Sequence, residues 1–252
     1  MKAFVIAFSM YSRLPMPHME WDEKGMRHAL CFFPLVGAVI GAVFLLWHMF
    51  CGWLSIGGFL RTAGLCVIPL LITGGIHMDG FLDTFDALAS HQPKEKKLEI
   101  LKDSHIGAFA VIACGMYLLL QAGAYDGLTS VRAVLAVASG FVLSRSVCVL
   151  VMLRIPSARH SGLLYSFSST ADRRTVMGCA ALESLAVFGV MVWIDPVLAA
   201  AAGLSCLVLL LWYRRMALHG FGGITGDLAG CFVELCELCV ALAVCIAARL
   251  PL

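Results

Sequence analysis

Residues 77–107 read HMDGFLDTFDALASHQPKEKKLEILKDSHIG. An apolar run, residues 57–76, ends where this stretch begins, and charge then arrives abruptly. Asp79, Asp83 and Asp86 stand at i, i+4 and i+7. At roughly 100° per residue, a helix brings the three carboxylates within about 40–60° of one another. Like charges on one helix face repel, so the cluster calls for a cation. Mg²⁺, a hard ion that takes oxygen ligands and phosphate partners, is the natural choice. Phe81, Leu82 and Phe85 interleave with the acids and predict partial burial; a solvated acidic helix is the plain alternative. Asp103 closes the stretch, four residues after Glu99.

The flanks set the fold. Of the 252 residues, 61% are hydrophobic and 13% charged, and the mean hydropathy is +0.91. Soluble domains carry about 25% charged residues, so this composition requires an integral membrane protein. A net charge of +2 argues against a nucleic-acid partner. Seven apolar segments approach the length of about 20 residues that spans a bilayer: residues 29–51, 57–76, 107–125, 131–153, 176–194, 196–213 and 229–248. Asp195-Pro196 is the turn signal between the fifth and sixth. Residues 3–11 are apolar but too short to cross. The N-terminal segment runs into Arg13 and Pro15 without a small-residue cleavage site and does not read as a removed signal peptide. The expected fold is all-α: a polytopic transmembrane helical bundle of about seven spanning helices plus a short N-terminal interfacial or re-entrant helix. It forms a single integral membrane domain over residues 1–252.

With seven spans, the N-terminal segment and loops 77–106, 154–174 and 214–228 fall on one side. That side holds Lys2, Arg13, Lys24, Arg27, Lys94, Lys96, Lys97, Lys102, Arg154, Arg159, Arg173, Arg174, Arg214 and Arg215. The other side has Arg61, Arg132 and Arg249. The positive-inside rule places the basic side, and the candidate site with it, in the cytoplasm of a multi-pass membrane protein. Eleven cysteines, an odd number scattered through apolar segments, fit reduced packing residues rather than a disulfide framework. The Cys236/Cys239 pair lies in an apolar segment without a second pair, which disfavours zinc or redox chemistry.

Loop 214–228 contains Phe221-Gly222-Gly223-Ile224-Thr225-Gly226-Asp227, directly before the last span. Glycines allow close backbone approach, and a turn leading into a helix N-terminus offers N–H groups to phosphate. Asp227 either completes a metal site or caps the helix. Glu183, Glu234, Glu237 and Arg145 are ionisable residues within spans, where such groups pair or serve function. Arg145 is read both as an ion-pair partner of Glu234 and as a substrate-phosphate ligand. His77 is a candidate metal ligand or general base. His105, Arg159 and His160 are candidate anion contacts. Phosphoryl transfer assisted by Mg²⁺ is the chemistry this pattern suits.

Several ordered motifs together resemble the cobalamin synthase family, that is, cobalamin-5′-phosphate synthase or adenosylcobinamide-GDP ribazoletransferase. They are residues 77–86, residues 100–107 and Gly222-Gly223-Ile224-Thr225-Gly226-Asp227, with Arg13-Leu14-Pro15, residues 33–37, Ser144-Arg145 and residues 158–163 in order. His105 stands where the family generally has Arg, and Ala110 where Gly is common. The resemblance implies joining adenosylcobinamide-GDP to α-ribazole or its 5′-phosphate, giving adenosylcobalamin or its 5′-phosphate and GMP. It implies Mg²⁺ held by Asp79, Asp83, Asp86 and Asp227, and catalytic roles for Asp79, Asp83, Asp103 and His77. Arg13, Lys102, His105, Arg145, Arg159, Gly222, Gly223, Thr225 and Gly226 become candidate substrate contacts. A homo-oligomer, or association with other cobamide-pathway enzymes, is a further expectation. Two other readings stand beside it. One is a CDP-alcohol phosphotransferase-like lipid enzyme, whose Ala-Arg after the first Asp-Gly is missing here. The other is a divalent-cation or metabolite transporter, against which the acids cluster on one side and not at the midplane.

Overall fold

The computed structural model describes residues 1–159 and 161–250. His160 lies outside the described residues. The architecture is helical, as the hydropathy pattern predicts. Helix α1 is Lys2–Tyr11 and α2 is Glu23–Met26. A 3-10 turn, Ala29–Phe32, enters α3, Phe33–Trp53. Then come α4, Gly58–Thr73, α5, Ile76–Ala89, and α6, Lys94–Ile100. Helices α7, Ala108–Asp126, and α8, Val131–Arg154, are followed by a short α9, Leu163–Thr170. Helices α10, Arg173–Ile194, and α11, Pro196–Met216, lead through a π turn, Ala217–Phe221, to α12, Gly226–Ala247.

Six helical segments are long and apolar enough to cross a membrane, and the α4–α5 pair passes the same test jointly but is bent by 96°. The expected second span therefore ends early. Gly74 and Gly75 both adopt left-handed backbone (φ 66° and 78°), a conformation that glycine enters without a Cβ clash. We take apolar α4 as the seventh crossing and the acidic α5 as lying outside it. Alternation along the chain then puts α1, α5, α6, α9 and the π turn at one end of the bundle, as expected for the three polar loops.

Capping side chains explain why several helices start before the apolar run does. The last helix begins at Gly226 rather than 229, because the Thr225 hydroxyl accepts the N–H of Leu228. The fifth span begins at Arg173, where Asp172 accepts the N–H of Thr175. Asp195 accepts from Val197 and Leu198, so the Asp-Pro turn is a helix cap as well. Helices α8 and α12 form the centre: 67% and 72% of their most apolar stretches are buried. On the periphery, Phe59 and Trp193 are 84% and 87% exposed, as lipid-facing side chains of a membrane bundle should be. All eleven cysteines are free.

Candidate active site at the polar end of the bundle

Helix α5 carries Asp79, Asp83 and Asp86 within one helix, as their spacing predicts. It is drawn close to α12 by two glycines. A Cβ on Gly80 would come within 2.6 Å of the Asp227 carbonyl oxygen, and one on Gly230 within 3.0 Å of the His77 carbonyl oxygen. This close approach sets His77 and Asp79 beside Thr225, Gly226 and Asp227, and all five line one cavity of about 270 Å³. Ser157, Arg159 and Ser161 from the segment after α8 complete its polar wall. Its remaining wall is apolar and aromatic, with Met10, Tyr11, Phe33, Met152 and Val233. Asp79 also belongs to a second, wider groove of about 740 Å³, which Arg13, Gly74 and Leu82 line.

His77 is 4% exposed, and neither ring nitrogen has a hydrogen-bond partner among the described residues. The rings of Tyr11 and Phe33 lie 6.2 and 5.6 Å from it. Burial, with the Arg145 charge second, holds its pKa well below the ordinary histidine value. Asp83 moves the other way. Partial burial first, then the carboxylates of Asp79, Asp227 and Asp86, push it up to about 6.

Other expected site residues have structural partners. Both oxygens of Asp86 accept backbone N–H groups, from Gly107 at 2.5 Å and Ala110 at 2.9 Å, so Asp86 caps α7. Asp103 is solvent-exposed and accepts from the His105 N–H at 3.0 Å, with the His105 ring at 2.7 Å. These two contacts hold it below the usual carboxylate range. Lys102 is exposed in the same turn, and none of Lys102, Asp103 and His105 lines the cavity. Arg145 is 1% exposed and ion-pairs at 2.6 Å with Glu237, not Glu234. Glu234 instead accepts from the Tyr117 hydroxyl at 2.6 Å. Helix α8 presents Arg145 to the bundle centre, behind Phe33 and outside the cavity lining.

The glycine turn also differs from expectation. The Gly222 and Gly223 N–H groups donate to Leu218 and Ala217 carbonyls, and Ile224 exchanges backbone bonds with Pro156 and Ala158, both at 2.9 Å. Those donors are committed. What Gly223 supplies is proximity, since a Cβ there would meet the Pro156 carbonyl oxygen at 2.3 Å. The part of the motif that faces the cavity is Thr225-Gly226-Asp227. Arg159 lines the cavity while one of its nitrogens donates to the Leu98 carbonyl, tying α6 to the site. Tyr11, Met152 and Val233 escaped sequence reasoning, because within apolar runs nothing separates a cavity wall from core, and Phe33 stands out in the sequence only as part of the 33–37 motif.

Among the described residues, no three His, Cys, Asp or Glu side chains gather as a metal centre. Mg²⁺ in phosphate chemistry is held by one or two carboxylates together with substrate oxygens, not by an all-protein cage. Asp79, Asp83 and Asp227 are hard oxygen donors of that kind, and none of them has an ion-pair partner among the described residues. Burial first, and then the unpaired carboxylates of Asp79, Asp227 and Asp86, raise the pKa of Asp83. The donor set therefore fits a divalent ion completed by substrate.

The family model for cobalamin-5-phosphate synthase matches residues 3–245. An adenosylcobinamide-GDP ribazoletransferase of Lachnoclostridium phytofermentans is 45% identical over 242 residues, covering 96% of this chain and 92% of the relative. Proteins of that same name from Desulfitobacterium hafniense and Clostridium botulinum (strain Alaska E43) are 34% and 30% identical. The first alignment covers 94% of both chains, and the second 97% of both. No solved structure matches. With a match along nearly its whole length, the chain belongs to the cobalamin-5-phosphate synthase family.

Proposed function

We propose that this protein is an adenosylcobinamide-GDP ribazoletransferase that joins adenosylcobinamide-GDP to α-ribazole or its 5′-phosphate, releasing GMP. The observation that carries this reading is the position of Asp79, which belongs to the walls of both the 270 Å³ cavity and the 740 Å³ groove. A two-substrate transfer needs two adjoining spaces that meet at the reacting group. In the reaction, a ribose hydroxyl oxygen of the acceptor bonds to the phosphorus nearest cobinamide. The bond from that phosphorus to the bridging oxygen breaks, and GMP departs with the electron pair. The hydroxyl proton passes to Asp79, the carboxylate that lines both spaces. His77 is a poor acceptor for that proton, because burial and Arg145 both disfavour imidazolium.

Asp79, Asp83 and Asp227 would hold Mg²⁺, which when bound neutralises diphosphate charge and stabilises the leaving group. Arg159 on the cavity side and Arg13 on the groove side would contact phosphate oxygens. The distribution of basic residues supports a cytoplasmic position for this end of the bundle.

The test is GMP release by purified protein in detergent or lipid, with both substrates and with Mg²⁺ or EDTA. Release that requires both substrates and the metal, with a cobamide product, is the expected result. Asp79→Asn should reduce turnover by at least about 10³-fold, the order of a lost proton-transfer and metal contact, while inserting normally. Release unaffected by EDTA would sink the metal assignment, and no release from folded wild-type protein would sink the activity.

A further inference from the structure

The two spaces that meet at Asp79 differ in chemistry, and the difference distinguishes the substrates. The 270 Å³ cavity lies at the small end of the roughly 300–1,000 Å³ typical of ligand pockets. That suffices for a ring system and a sugar but not for a corrinoid macrocycle. Its polar lining is Asp79, Asp227, Thr225, Ser157 and Arg159. Its other walls are Tyr11, Phe33, Met152 and Val233, surfaces of the kind that stack and enclose an aromatic ring. Among these walls His77, 4% exposed, has two ring nitrogens with no partner among the described residues. A buried polar group without a hydrogen bond keeps its desolvation penalty unrelieved, so a ligand that supplies one gains selectively there.

We propose that this cavity is the acceptor site: it encloses the aromatic heterocyclic base of the ribazole against Tyr11, Phe33, Met152 and Val233. His77 hydrogen-bonds a polar atom of that nucleoside, and the ribose projects toward Asp79. The donor's larger corrinoid portion then lies in the 740 Å³ groove bordered by Arg13. His77 is on this assignment a binding residue and not the base. The assignment rests on the proposed transferase reaction for the identity of the nucleoside, but not for the existence of an aromatic-nucleoside site.

The experiment separates the two. Wild type, Val233→Trp and Leu164→Trp are compared in two measurements: steady-state turnover, and equilibrium dialysis of α-ribazole without donor. Val233 and Leu164 both line the cavity. Leu164 lies on the short α9 outside the crossing helices, so it provides a second variant if the first fails to fold. Filling the cavity should raise KM for α-ribazole, and weaken its dialysis binding, at least about tenfold. KM for adenosylcobinamide-GDP should stay within about twofold. His77→Ala should likewise weaken α-ribazole binding. Unchanged α-ribazole binding in a folded tryptophan variant, or a raised KM for the donor alone, overturns the acceptor assignment while leaving the activity standing. Inactive wild type that still binds α-ribazole, and loses it on filling, removes the activity but keeps the site.

Discussion

At the scale of single residues, Asp83 reports the state of the acidic cluster. Its folded-state pKa of about 6 lies above the ordinary value of 3.8. Between those values the folded protein keeps a proton that the unfolded chain has released. The metal-free protein therefore has this stabilisation in full below the lower value and loses it as pH rises through about 6. Asp83 is part-exposed, so the effect is screened, and the comparison of pH profiles is the useful readout. Thermal unfolding in detergent should show midpoints falling from about pH 4.5 to 7.5 in EDTA, with Asp83→Asn flattening that fall. Mg²⁺ should raise the wild-type midpoint near pH 7.5 and do little near pH 4.5, where protons occupy the ligand. A parallel profile for Asp83→Asn would remove Asp83 from the cluster. Spacing alone made Asp79, Asp83 and Asp86 look equivalent. Only the arrival of the α7 N-terminus separates them, by taking both Asp86 oxygens.

At the scale of elements, the site depends on how closely α5 lies against α12. Gly80 allows that approach, with the Asp227 backbone where its Cβ would be. Gly80→Val should lower stability by about 1–3 kcal/mol, the range for overpacking a close contact, and should lower turnover further by shifting Asp79 from Asp227. Denaturation in mixed micelles and GMP release on the same preparation check this. Wild-type values for both would mean that the two helices are free to separate. The Gly222-Gly223 turn is a related case in which the motif was recognisable but its mechanical role was not. Its N–H groups answer to Leu218 and Ala217, and the small size of Gly223 lets the chain pair with Pro156 and Ala158. That pairing brings Arg159 and Thr225 to one cavity.

At the scale of the molecule, a buried polar network crosses the centre of the bundle. Arg145 pairs with Glu237 at 2.6 Å, Tyr117 donates to Glu234, and Gln121 joins the Tyr117 and Tyr125 hydroxyls at 3.0 and 3.3 Å. These contacts connect α7, α8 and α12 where water cannot satisfy them. Glu237→Ala leaves Arg145 buried and unpaired and should cost about 3–5 kcal/mol. Replacing the pair together, Arg145→Met with Glu237→Leu, should recover most of that loss. Denaturant titration of the three proteins in one detergent measures both effects. A Glu237→Ala variant as stable as wild type would show that Arg145 finds another partner.

Hydropathy and periodicity, read along the chain, determined the all-helical membrane architecture, the alternation that gathers the polar loops at one end, and the Asp79–Asp83 face. These are local properties: a segment's apolarity decides whether it enters lipid, and helical pitch decides which side chains share a face. The length of α4, the capping by Asp86, the Arg145–Glu237 pair and the aromatic cavity wall were decided by tertiary structure. Each depends on which surfaces meet when α5, α7, α8 and α12 close together, and residues far apart in sequence carry no local mark of the partner they will find.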